Sequence, residues 1–169
     1  MKKLLFIAFP LILFSCGQQS NNPLTEEQKG RIIEEIKPLI TQLMESNEQL
    51  NYEKFLELYW NSKDFTLIVN GQISGYNEIV GYKEVWKLLE YQKYNTLIEK
   101  YEVINQDAVL YTMQGNASAK YKTGQIYNTD FYALSALFRK VDGVWKIVYG
   151  HASFPPPNLT SQDNMKEQE

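Results

Sequence analysis

The chain has 1 cysteine and 1 histidine in 169 residues, and its arginines are Arg31 and Arg139. A lone cysteine, Cys16, excludes an intrachain disulfide and a thiolate metal site of several cysteines. His151, equally alone, excludes a multi-histidine metal cluster. With a net charge of -3 and no basic stripe, the chain has nothing to track a phosphate backbone, so no nucleic acid is expected as a partner. Glycine-rich phosphate loops and a Gly-x-Ser-x-Gly nucleophile elbow are also missing. Nothing in the sequence asks for a metal or a cofactor. Long apolar runs are absent too, because the one from Leu4 to Phe14 is interrupted by Pro10 and falls short of the ~20 residues that span a bilayer.

What is present starts with that short run. Lys2 and Lys3 precede it, and Ser15 and Cys16 close it. The arrangement resembles bacterial lipoprotein signals. The resemblance implies that residues 1–15 are a removable address, that Cys16 is acylated, and that residues 16–23 form a polar tether. The body would then sit in the bacterial cell envelope, held to a membrane through lipid on Cys16 and facing the periplasm.

Beyond the tether the chain is 44% hydrophobic over its whole length, with 12 tyrosines and 3 tryptophans, a globular composition of one-domain size. Thr25 and Gln28 have the form of a capping box, and Ile32, Ile36, Leu39, Ile40 and Leu43 follow at helical spacing, predicting a helix over 25–49. Asn51 can cap a short second helix carrying Tyr52, Phe55, Tyr59 and Trp60. Phe65–Val69, Asn70-Gly71 and Gln72–Gly75 read as a hairpin. A third helix is predicted from an Asn77 cap to about Gln92, since Ile79, Tyr82, Val85, Trp86 and Leu89 share a face. Three long strands follow after a first at 97–104, with turns at Asn105–Asp107, Lys122–Gly124 and Asp142-Gly143. Pro155-Pro156-Pro157 ends the sheet, leaving a domain of 24–155 and a polar, unfolded tail over 156–169. The layout is α+β, helices on one face of a curved antiparallel sheet.

Asp64-Phe65 before the hairpin, Gly75 and Gly81 ahead of Trp86-Lys87-Leu88-Leu89, and the closing stretch Phe138 to Ser153 resemble the nuclear-transport-factor-2-like superfamily. Within it the chain is most similar to SnoaL-like, steroid-isomerase-like bacterial domains. The resemblance implies a cone-shaped sheet wrapped around the helices, with an apolar pocket inside. It also implies what is missing: the steroid-isomerase base carboxylate has no counterpart at Ile68-Val69-Asn70, and neither arginine has the flanking aspartates of the epoxide-hydrolase relatives.

Strand alternation places Trp145, Ile147, Tyr149, His151 and Ser153 on one face of the last strand, and Trp and Ile make that face the inner one. His151 then reads as a general base or hydrogen-bond anchor, or as a structural histidine satisfied by a neighbour. Asp64 is a carboxylate at the pocket mouth or the end of a turn. Trp60, Tyr82, Trp86, Tyr111, Tyr132 and Tyr149 would line the pocket and stack a flat ligand, or serve as plain core, with Ser153 at the same end as His151. Three functional readings follow. One is a tethered protein binding a small apolar ligand or a protein partner; the second is a cofactor-free isomerase, cyclase or hydrolase with His151 as base; the third is a homodimer.

Overall fold

A computed structural model describes residues 23–155 of the chain. The lipid-attachment reading of Cys16, the address over 1–15 and the tail over 156–169 lie outside the described residues.

Helix α1 (Glu26–Glu48) opens as the sequence predicts, with Gln28 N–H donating to the Thr25 hydroxyl at 3.2 Å and the Gln28 side chain accepting from Thr25 N–H at 2.8 Å. Ile32, Ile36, Ile40 and Leu43 form its buried stripe. Asn51 caps α2 (Tyr52–Leu56), its side chain accepting from Lys54 N–H at 3.1 Å. The hairpin of β1 (Thr66–Val69) and β2 (Gln72–Ser74) turns through Asn70 at φ 49° and Gly71 at φ 82°, the paired positive angles that fit strand twist.

The third helix differs from expectation. It starts two residues earlier than an Asn77 cap allows, with Gly75 in the cap position and Glu78 accepting from Gly75 N–H at 2.8 Å, and it divides into α3 (Tyr76–Gly81) and α4 (Lys83–Trp86). It also ends sooner, because Leu89 to Gln92 already belong to β3 (Leu89–Asn105). Those residues pair with β4 (Ala108–Tyr121), Leu89 opposite Tyr121 and Gln92 opposite Ala119. A non-local ladder therefore overrides a local helical period.

β5 (Ile126–Val141) and β6 (Val144–Ser153) complete a curved six-stranded sheet in the order β2-β1-β6-β5-β4-β3. The meander from β3 to β6 is antiparallel as predicted, whereas β1 joins β6 in parallel, Leu67 opposite Gly150 and Val69 opposite Ala152. The α1 stripe packs on Val109, Tyr111, Met113, Ala136, Phe138, Trp145 and Ile147 of the concave face. One end of this contact is fixed by polar groups: the Trp145 indole N–H donates to Glu35 Oε2 at 2.7 Å, and Lys140 Nζ lies 2.9 Å from the same oxygen. Those two partners, the indole first, lower the Glu35 pKa.

Candidate functional site

The sheet's curvature leaves space under the second half of α1, and the fold fills it only partly. A cavity of about 450 Å³ remains, a volume suited to a small organic molecule. Leu43, Met44 and Asn47 of α1 form its roof. Phe55, Tyr59, Tyr82, Val85 and Trp86 form a helical wall, and Leu67, Val69, Leu134, Ala152 and the rings of Tyr94, Tyr121, Tyr132 and Phe154 form the sheet wall.

Two aromatic groups face one another across this space. On the helical side the Phe55 ring lies 4.9 Å from Trp86 and 4.8 Å from Tyr59, centroid to centroid. On the sheet side Tyr132 stacks on Phe154 at 5.5 Å with an interplanar angle of 8°, and Tyr94 meets Tyr132 at 5.4 Å. Phe154 is held in place because its N–H donates to Asn70 Oδ1 at 2.7 Å, tying the chain's exit to the β1–β2 turn.

The polar groups of the cavity are neutral. Tyr82 shares a 2.9 Å hydrogen bond with the Ser74 hydroxyl, the Tyr94 hydroxyl donates to Gln92 Oε1 at 3.4 Å, and Gln92 Nε2 donates to the Asn47 carbonyl at 2.8 Å. Burial pushes the Tyr94 phenol up to about 12, and burial likewise raises Tyr59 and Tyr132. These phenols keep their protons at any physiological pH and so act as hydrogen-bond donors, not bases. No aspartate, glutamate, histidine, lysine or arginine stands among the lining residues.

Of the residues the sequence nominated, Tyr82, Trp86 and Tyr132 meet at this cavity. Tyr111 is fully buried elsewhere in the core, its hydroxyl donating to Glu99 Oε2 at 3.2 Å, and burial together with that carboxylate raises its pKa. Trp60 borders an outer groove with Asn61, Tyr76 and Val144. Asp64 is exposed in the turn before β1, its N–H donating to the Ser62 hydroxyl at 3.1 Å. Here the turn is what the geometry supplies.

Tyr149, His151 and Ser153 need a correction of placement. Strand alternation from Trp145 and Ile147 puts them inside, yet Gly150 and Ala152 are the buried residues, and His151 and Ser153 are exposed. The cause is a β-bulge: Phe138 pairs with Ile147 and Leu137 with Tyr149, leaving Val148 without a partner on β5. One extra residue reverses the phase, so His151 stands on the sheet's outer side, opposite Ser135 and beside Ile68. The bulge falls where β6 changes its other neighbour. Ile147 bonds to the segment before β1, its N–H donating to Leu58 O at 2.8 Å and its carbonyl accepting from Trp60 N–H at 2.9 Å, whereas Tyr149 lies opposite Thr66.

Sequence reasoning passed over Tyr94, Tyr121 and Phe154. Tyr94 follows the stretch read as helix, and Phe154 lies on the face assigned to the outside. The signal for Tyr94 was its period-2 relation to Gln92, visible only once β3 starts at Leu89.

A profile of the SnoaL-like domain matches residues 36–157. No curated protein matches the chain. Among solved structures, the hexachlorocyclohexane dehydrochlorinase LinA-type3 of Novosphingobium barchaimii LL02 superposes with a TM-score of 0.67 at 12% identity, over 82% of this chain and 96% of that one. A candidate scytalone dehydratase of Novosphingobium aromaticivorans DSM 12444 gives 0.70 at 10% identity, covering 81% and 93%. An NTF2-like superfamily protein of Salmonella enterica serovar Typhimurium LT2 gives 0.66 at 17%, covering 79% and 98%. At these identities the likeness is one of fold.

Proposed function

Because the chain belongs to the SnoaL-like domain family, we propose that it is a membrane-tethered binding protein whose cavity receives a small, uncharged, largely apolar molecule. The observation that carries this reading is the lining: aromatic and aliphatic side chains, neutral hydroxyls and amides, and no acid or base near neutrality. Two structurally similar proteins bear the names of a dehydrochlorinase and a dehydratase. Eliminating hydrogen chloride or water requires a group that takes a proton, and phenols with raised pKa values serve that role poorly. The cavity therefore favours binding over turnover. The same lining excludes charged ligands, since an ion placed there would lose its hydration without a counter-charge.

The test is a titration of the domain with the uncharged fluorophore N-phenyl-1-naphthylamine. Saturable binding of one probe per chain is expected, weakened at least about tenfold by Trp86→Ala and unchanged by His151→Ala. A probe that fails to saturate, or that responds to His151→Ala and not to Trp86→Ala, would overturn the reading.

The tether rests on Lys2, Lys3 and the apolar run that ends at Cys16. Metabolic labelling of the full chain with a fatty acid is expected to mark it and to fail on Cys16→Ser, which would also leave the membrane fraction. Label retained by that variant would place the attachment elsewhere.

A further inference from the structure

The sheet has two open edges of unequal length. β2 forms one with 3 residues, whereas β3 forms the other with 17. Among the described residues, no segment hydrogen-bonds to the outer edge of β3 from Ile98 to Ile104. Such an edge presents a row of unmet N–H and C=O groups and recruits another strand unless something covers it. Register irregularities at Leu97 and Ile104 bend β3 at the two ends of this stretch and so delimit it. Within it the residues alternate. Tyr101 and Val103 lie opposite Tyr111 and Val109 and pack on the core, while Ile98, Lys100, Glu102 and Ile104 alternate with them and are exposed. Ile98 and Ile104 are 53% and 56% exposed, and among the described residues neither Lys100 nor Glu102 has an ion-pair partner.

We infer that this edge pairs antiparallel with the same edge of a second copy, around a two-fold axis at Tyr101. A two-fold axis normal to the sheet keeps every side chain on its own face, and directly opposite residues share a face, so the axis must pass through a residue. At Tyr101 it sets Lys100 opposite the second copy's Glu102, twice by symmetry, and Ile98 opposite its Ile104. Moved by one residue, it sets Lys100 against Lys100 or Glu102 against Glu102; moved by two, it sets Ile98 against Lys100 or Glu102 against Ile104. Of these positions, Tyr101 alone matches charge with opposite charge and apolar with apolar. On the concave side Glu99 would face Val103, its carboxylate already accepting from the Tyr101 and Tyr111 hydroxyls at 3.3 and 3.2 Å. A stretch this short makes a small interface, so a dissociation constant in the micromolar range is expected. The pairing is independent of what the cavity holds.

The test is sedimentation velocity of the full chain in detergent over a range of concentrations, where a reversible dimer is expected. Lys100→Glu or Glu102→Lys should each weaken it at least about tenfold, since two attractions become two repulsions, and the two substitutions together should restore association to within about threefold of the wild type. Both side chains are exposed, so the loss reads pairing and not folding. Register is read separately on chains that also carry Cys16→Ser. A mixture of Ile98→Cys and Ile104→Cys should form a disulfide-linked dimer on mild oxidation, and neither variant alone should. A monomer at every concentration, a dimer indifferent to the single charge changes, a double variant that stays monomeric, a mixture that fails to link, or linkage by either cysteine variant alone would overturn the inference.

Discussion

An added methyl at Gly115 would lie 2.1 Å from the Asn95 carbonyl oxygen and 3.0 Å from the Tyr132 ring. The position allows glycine because β3 and β4 approach closely there, beside the irregularity where Gly115 pairs with Tyr132 and Ala117 with Thr129. Gly115→Ala should therefore destabilise the domain by about 1–3 kcal/mol, read from urea unfolding, because the obstacle is backbone and cannot rotate aside. An unchanged midpoint would mean that the β3 edge gives way freely. Tyr132, which the added methyl would also meet, is a cavity residue, so the variant should weaken probe binding as well. At this scale the sequence was only partly readable. Tyr82, Trp86 and Tyr132 could be nominated from the aromatic excess, but Tyr111 has the same chemistry and lies in solid core against Tyr101. Residue type alone does not distinguish a phenol facing space from one facing another ring.

Among the elements, those decided by neighbours in sequence were legible and those decided by distant partners were not. The capping box of α1, the Asn51 cap and the Asn70-Gly71 and Asp142-Gly143 turns are local chemistry, and all stand where their residues indicate. The start of β3 depends on Leu89 finding Tyr121, and the face of His151 depends on Val148 having no partner on β5. Neither pairing leaves a mark in the strand's own residues. The bulge matters most for the site, because it brings Ala152 into the cavity wall and directs Phe154 onto Tyr132 while sending the only histidine outward.

Across the whole fold, several phenols are enclosed: Tyr52, Tyr59, Tyr111 and Tyr132 are buried. Tyr59, Tyr94 and Tyr132 have folded-state pKa values raised by burial, Tyr94 to about 12 from 10.0. A raised value means the folded form holds its proton more tightly than the unfolded chain. The stability this represents is intact below about pH 10 and is lost as the pH climbs toward 12. Unfolding monitored by circular dichroism should therefore set in above pH 10, together with a cooperative rise in tyrosinate absorbance; a gradual rise without unfolding would show that these hydroxyls reach solvent. The α+β layering was legible as a whole, since the order of helices, hairpin and long strands admits few arrangements, but the parallel seating of β1 on β6 was not.

That seating sets the order in which the protein becomes competent during its own synthesis. β1 leaves the ribosome well before its partner β6, the last strand among the described residues, while the cavity draws its walls from Leu43 at one extreme to Phe154 at the other. No growing chain short of Phe154 holds a complete chamber, and the long-range pairing that closes it is the slow kind to form. If the cavity binds a ligand as proposed, only chains in which β6 has paired with β1 and Phe154 has reached Tyr132 can hold it, so loading would report correct assembly of the sheet.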